Sequence, residues 1–165
     1  GILNTSGIGA VAIGTNGGVP TWAHIVNLET EVAVDDADMG TLSYLTTPGI
    51  RGKLKQTEKA SSTGMFIWEN DNPGLVQMGS LNGYRAFVST QVPKDLTKGS
   101  GSNLHAIIFG NFAELMVGQW AGIDLVVDPY SGAKNALVTL VVNSWWDAAV
   151  RHAASFSAVK DASLS

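Results

Sequence analysis

The chain has no cysteine, only 15% charged residues, and no apolar run long enough to cross a bilayer as a helix. Without cysteine there is neither a disulfide framework nor a thiolate metal site, which fits a reducing compartment. Ten basic residues stand against 14 acidic ones, a net charge of −4, and that balance argues against a surface built to coat nucleic acid. Residues 1–28 carry no formal charge, yet Gly, Asn and Thr interrupt them throughout. They lack both a basic start and a continuous apolar stretch, so neither a signal peptide nor a membrane span is expected. The chain opens on Gly1 rather than Met, and a piece of a longer protein is expected.

Motifs for turnover are missing too. His24, His105 and His152 fall on separate segments, and no G-x-S-x-G surrounds a nucleophile, which leaves a small hydrolase or ligand-binding domain as a remote alternative. Gly7-x-Gly9-x-x-Ala12 has the outline of a dinucleotide turn. It lacks the preceding buried strand and the helix directly after it that bring phosphate to a helix N-terminus. Asp35, Asp36 and Asp38 suggest a cation loop, but a calcium loop from Asp36 would need Gly at 41 and Glu at 47, where Thr41 and Thr47 stand. A solvated turn is the expectation, with no metal and no cofactor.

What is present is 165 residues with 45% hydrophobic content, 19 glycines and five tryptophans. That is enough for one domain with a proper core and a small appendage. Residues 1–18 are Gly-rich and read as an irregular connector. A helix is expected over 20–33, with Trp22, Ile25, Val26, Glu29, Val32 and Ala33 on one stripe and Pro20 or Thr21 in its first turn. Leu42 and Tyr44 suit a strand, and Thr47-Pro48 suits the N-cap and N1 of a second helix over about 48–57. That helix turns Ile50 and Leu54 inward and Arg51, Lys53 and Lys55 outward; with Lys59 they form the chain's one basic cluster. Residues 59–64 read as a flexible tip, and Met65–Trp68 as a strand.

Asn82-Gly83 marks a tight turn, Arg85–Gln91 alternates apolar and polar, and 94–103 reads as a mobile polar loop. The stretch 104–130 orders the rest. Ala106–Phe109 suits a strand buried on both faces. Asn111 caps a helical turn carrying Phe112, Leu115 and Met116, with Glu114 as capping partner. Ile123, Leu125 and Val127 then alternate with Asp124 and Asp128 as in a half-buried strand. Residues 136–142 form a β-branched strand that continues through Ser144–His152, and SFSAVK (155–160) follows a short turn. Trp145 and Trp146 must face opposite sides of a strand, one packing internally and the other free to meet a partner. The fold class is therefore α+β: a central mixed or antiparallel sheet flanked by two or three helices, with a C-terminal β extension.

Several of these stretches also resemble, in order, the tailed-phage major capsid proteins of the Hong Kong 97-type fold, which encapsulin shells share. They are GILNT at the start, SYLTTPGIRGKLK (43–55), LNGYRAFVSTQVP (81–93), IIFGNF followed by GIDLVVDP, and a closing strand with Arg151-His152 before SFSAVK. Ala153 stands where that family usually has proline. The resemblance implies a connector over 1–19 entering an axial domain over 20–142, with returning strands of the peripheral domain over 143–165. It implies a structural, non-enzymatic role: pentamers and hexamers of an icosahedral shell around a phage or prophage DNA genome. The partners would be other copies of the chain, with scaffold, portal and decoration proteins, no sequence-specific nucleic-acid contact and no membrane. Such a protein would be assembled in the bacterial cytoplasm and reside in the virion. An encapsulin-like compartment is the alternative.

Few charges, five tryptophans and 19 glycines suit a surface covered by neighbours, since obligate interfaces of ~2,000 Å² or more are aromatic-rich and charge-poor, and they equally suit an ordinary secreted β-rich domain. The candidate contact residues are Trp120, Trp145, Trp146, Arg51, Lys53, Lys55 and Lys59. Loops 56–64 and 94–103 are candidates for the ring contacts.

Overall fold

In the computed structural model, which describes residues 1–69 and 78–165, hydrophobic alternation and turn chemistry decide most of the elements. After a 3-10 turn at Ile2–Asn4 the Gly-rich segment is irregular apart from the two-residue strand β1 (Gly9–Ala10). Helix α1 (Trp22–Val34) starts at Thr21, whose N–H donates to His24 Nδ1 at 3.1 Å, and it buries Ile25, Leu28 and Val32. Strand β2 (Leu42–Thr46) leads into α2 (Pro48–Leu54), where Ile50 N–H donates to the Thr47 hydroxyl at 3.3 Å and Pro48 occupies the first turn. The expected continuation to residue 57 does not form. Gln56 N–H and Thr57 N–H both bond to Lys53 O, and the Thr57 hydroxyl adds a third bond to that carbonyl, which closes the last turn early.

Strands β3 (Met78–Leu81) and β4 (Tyr84–Val88) are joined by Asn82-Gly83, both at positive φ, the backbone of a type I′ hairpin. Strand β5 (Leu96–Lys98) pairs with β6 (Gly101–Asn111), so the expected mobile loop over 94–103 is instead a short hairpin around Gly99. Met65–Trp68 forms no strand. Isolated bridges at Phe66 and Glu69 flank the buried Ile67 and Trp68.

The sheet runs β1-β9-β6-β2-β4-β3, where β9 spans Phe156–Ala162; β1/β9 and β2/β4 are parallel and the rest antiparallel. This is the mixed sheet of the expected α+β class. One core joins Ile25, Leu28 and Val32 of α1 and Ile50 and Leu54 of α2 to Tyr44, Ile107, Phe109 and Val159 of the sheet. The Tyr44 and Phe109 rings lie 4.4 Å apart at its centre. Their burial on both flanks explains why Ala106–Phe109 reads as a continuous apolar run.

Between β6 and β9 the chain leaves the sheet. A single 3-10 turn at Phe112–Glu114 replaces the expected amphipathic helical turn, because Leu115 and Met116 are already in strand β7 (Leu115–Asp128). Strand β7 pairs with β8 (Thr139–Val150), and among the described residues the two make a separate two-stranded ribbon. A second 3-10 turn, Ala153–Ser155, returns the chain to β9. The boundary at 142/143 thus falls inside one unbroken strand, and β9 lies in the sheet beside β6.

Candidate assembly surface

The ribbon is where apolar side chains and solvent meet. Its register runs Leu115↔Val150 to Trp120↔Trp145, then from Asp124↔Asn143 to Asp128↔Thr139, with a bulge at Ala121–Ile123. Ala121 takes a positive φ there, and two extra residues on β7 preserve the alternation of faces. Alternation then sorts the side chains. One face carries Val117, Leu125 and Val127 with Leu140, Val142 and Trp146. The other carries Trp120, Trp145, Val126 and Val141 among Asp124, Asp128 and Asp147.

Both faces are bare. Trp120 is 59%, Trp145 52% and Trp146 61% exposed. The expectation that Ile123–Val127 is half-buried and that one of Trp145 and Trp146 packs internally is therefore corrected: the ribbon has two strands, and among the described residues nothing is layered on either face. A two-stranded ribbon is at best marginally stable in water, and contiguous exposed apolar patches mark interaction surfaces.

The basic cluster sits elsewhere and is less uniform than expected. Lys55 is exposed, while Arg51, Lys53 and Lys59 are half-buried. Lys59 is engaged inside the chain, 4.5 Å from the centre of the Trp22 ring and ion-paired to Glu69. The cluster and the three ribbon tryptophans lie on separate elements.

Sequence reading overlooked the root of the ribbon. Glu114, expected as a capping partner of Asn111, instead accepts from Arg151 Nε (2.8 Å) and Nη2 (2.9 Å). The Asn111 cap does form, accepting from Ala113 N–H at 3.1 Å. Acidic and basic residues 37 positions apart gave no local signal. An apolar groove of about 380 Å³, lined by Gly1–Asn4, Leu45, Ile108, Leu115 and Ala148, borders the root. A polar cleft of about 280 Å³, lined by Asp36, Met39, Asn111, Glu114, Arg151 and His152, also borders it.

That cleft gathers ionisable groups, but each named charge pair is occupied with structure. Glu114 and Arg151 hold each other, and His152 Nδ1 meets the Ser155 hydroxyl at 3.0 Å across one turn. Among the described residues no cluster of three or more His, Cys, Asp or Glu is placed to hold a metal.

Two further polar sites tie the body together. The Asp161 carboxylate, itself buried, accepts from Lys98 Nζ (2.6 Å), Ile13 N–H (3.0 Å) and Gly14 N–H (3.3 Å). Burial alone would raise its pKa; the ammonium and the two amides outweigh that and hold it below the ordinary carboxylate range. His105 Nδ1 lies 2.8 Å from the Thr47 hydroxyl, and burial pushes its pKa down.

Residues 1–161 match the phage capsid family. The chain belongs to that family. A curated relative, the major capsid protein of Halomonas phage phiHAP-1, is 31% identical over 136 residues, covering 82% of this chain and 20% of its own length. Among solved structures, the capsid of a native GTA particle superposes with a TM-score of 0.65 at 19% identity, over 99% of this chain and 61% of that one. The holo-SrpI encapsulin complex of Synechococcus elongatus gives 0.63 at 16%, over 99% and 57%. These likenesses are of fold, and the fold of this capsid-family chain is the Hong Kong 97-type. The chain spans about a fifth of the curated relative and about six-tenths of the first-named capsid structure.

Proposed function

We propose that this capsid-family chain is part of a shell subunit of a tailed phage or prophage. Its copies join into pentamers and hexamers of an icosahedral shell around the DNA genome. The observation that carries this reading is the ribbon: 14- and 12-residue strands with apolar side chains on both faces that no described residue covers. Surfaces of that kind are completed by other protein, and head-to-tail contacts between copies close into rings. Trp120, Trp145 and Trp146 are the proposed anchors, because large aromatics dominate interface energetics. Lys55 and its neighbours on α2 supply a polar rim. In domain terms the sheet and helices form the axial unit, and the chain's excursion through 115–150 reaches toward the peripheral one.

The role is mechanical and involves no turnover. Scaffold, portal and decoration proteins are its further partners, the host cytoplasm its place of assembly and the virion its destination. An encapsulin-like compartment uses the same fold, but the curated relative is a phage capsid protein, which favours the phage reading. Sedimentation velocity of the full-length protein tests this. Rings or shells are expected, with loss of the large species when Trp120, Trp145 and Trp146 are replaced by serine. Particles unaffected by the triple replacement would remove the ribbon from the account.

A further inference from the structure

The ribbon meets the sheet through two short crossings, and they are built alike. The chain enters through the 3-10 turn Phe112–Glu114 and leaves through Arg151, His152 and the 3-10 turn Ala153–Ser155. The sheet side of both crossings is pinned. Asn111 Nδ2 donates to Met39 O at 3.1 Å, and the Phe112 and Phe156 rings meet edge to face at 5.6 Å. Gly110 passes so close to the other crossing that a Cβ there would lie 2.2 Å from Ser155 O.

The ribbon side is held differently. Beyond the last ladder pair, Leu115↔Val150, the Arg151 guanidinium grips the Glu114 carboxylate with two hydrogen bonds, and Arg151 N–H adds a third to Glu114 O at 2.9 Å. Among the described residues, the apolar groove and the polar cleft both border this root, the one through Leu115 and the other through Glu114 and Arg151. A two-bond fork carries angular definition that a single charge contact lacks, and residues at element ends are where hinges absorb backbone rotation.

We propose that the Glu114–Arg151 fork is a lock on the angle at which the ribbon leaves the sheet, with the turns 112–114 and 153–155 as its pivots. The use of such a lock rests on the shell reading above. Rings of five and rings of six set neighbouring subunits at different angles, so a subunit with one releasable joint serves both.

The test is made on dissociated full-length subunits with spin labels at Lys134→Cys, near the ribbon's far end, and Arg85→Cys on β4. This chain adds no cysteine of its own. Arg151→Glu and Glu114→Arg should each broaden the distance distribution by about twofold, and the double exchange should restore the original width. Arg151→Lys, which keeps the charge without the fork, should broaden it to an intermediate width and guards against a misfolded reversal variant. Unchanged widths in the single variants, or a double exchange that stays broad, would overturn the lock. Because the readout precedes assembly, a protein that never forms shells sinks the shell reading and leaves this result standing.

Discussion

One buried carboxylate, Asp161, ties distant stretches of the body together. It joins β9 to the Gly-rich segment and to β5, three stretches far apart in sequence. Asp161→Asn keeps the shape but removes the charge facing Lys98, and it should cost about 2 kcal/mol in denaturant unfolding at neutral pH. The sign of its pH dependence follows from the depressed pKa. The native contribution is complete above the ordinary aspartate range and is lost as pH falls through the lower, folded value. The asparagine variant should therefore show a shallower acid limb, and an identical limb would disprove the role.

His105 also has a depressed pKa, but it gains its charge on protonation. Its neutral form is favoured in the fold, so stability is full above the ordinary histidine range near pH 6.5 and declines as pH falls below it. His105→Gln should flatten that decline. Thr47→Val removes both the cap on Ile50 and the contact with His105, at an expected cost of about 1–2 kcal/mol, whereas Thr47→Ser should be near neutral. Neither Asp161 nor His105 stood out in the sequence, because their partners lie 58 to 148 positions away.

At the scale of elements, the readable parts were those whose cause is local. The Thr47-Pro48 start, the Asn82-Gly83 turn and the helix at α1 depend on neighbours within a turn, and all three appear; the α1 stripe holds at Ile25 and Val32, but Leu28 is buried in it and Ala33 is exposed. Local reasoning failed where a distant strand decided the outcome. Phe112, Leu115 and Met116 have helical spacing, but pairing of β7 with β8 takes Leu115 and Met116 into a ladder. The polar 94–103 stretch looked mobile until β6 paired with it and Asp161 drew in Lys98.

Gly110 shows the same dependence on tertiary contact. Its φ is +154°, and the approach of Ser155 O leaves no room for a side chain. Gly110→Ala should destabilise the protein by about 3 kcal/mol or more, read by thermal or denaturant unfolding. A variant as stable as the parent would mean that the crossing is looser than described.

For the whole molecule, the sheet and two helices close one core, while the ribbon remains open on both faces. That division was hidden in the sequence because an apolar strand reads identically whether its own chain or another protein covers it. The α+β class and the family were nonetheless legible, from ordered motifs along nearly the full length. Truncating Trp120 and Trp145 to serine should leave the body's unfolding free energy within about 0.5 kcal/mol, as for surface positions, and act instead on association.

Electron cryomicroscopy of particles formed by the full-length protein tests the central claim most directly. A closed shell of five- and six-membered rings is predicted, with the 115–150 ribbon buried beneath neighbouring protein density. A full-length protein that stays monomeric under every assembly condition, or a shell in which the ribbon stands bare, would contradict it.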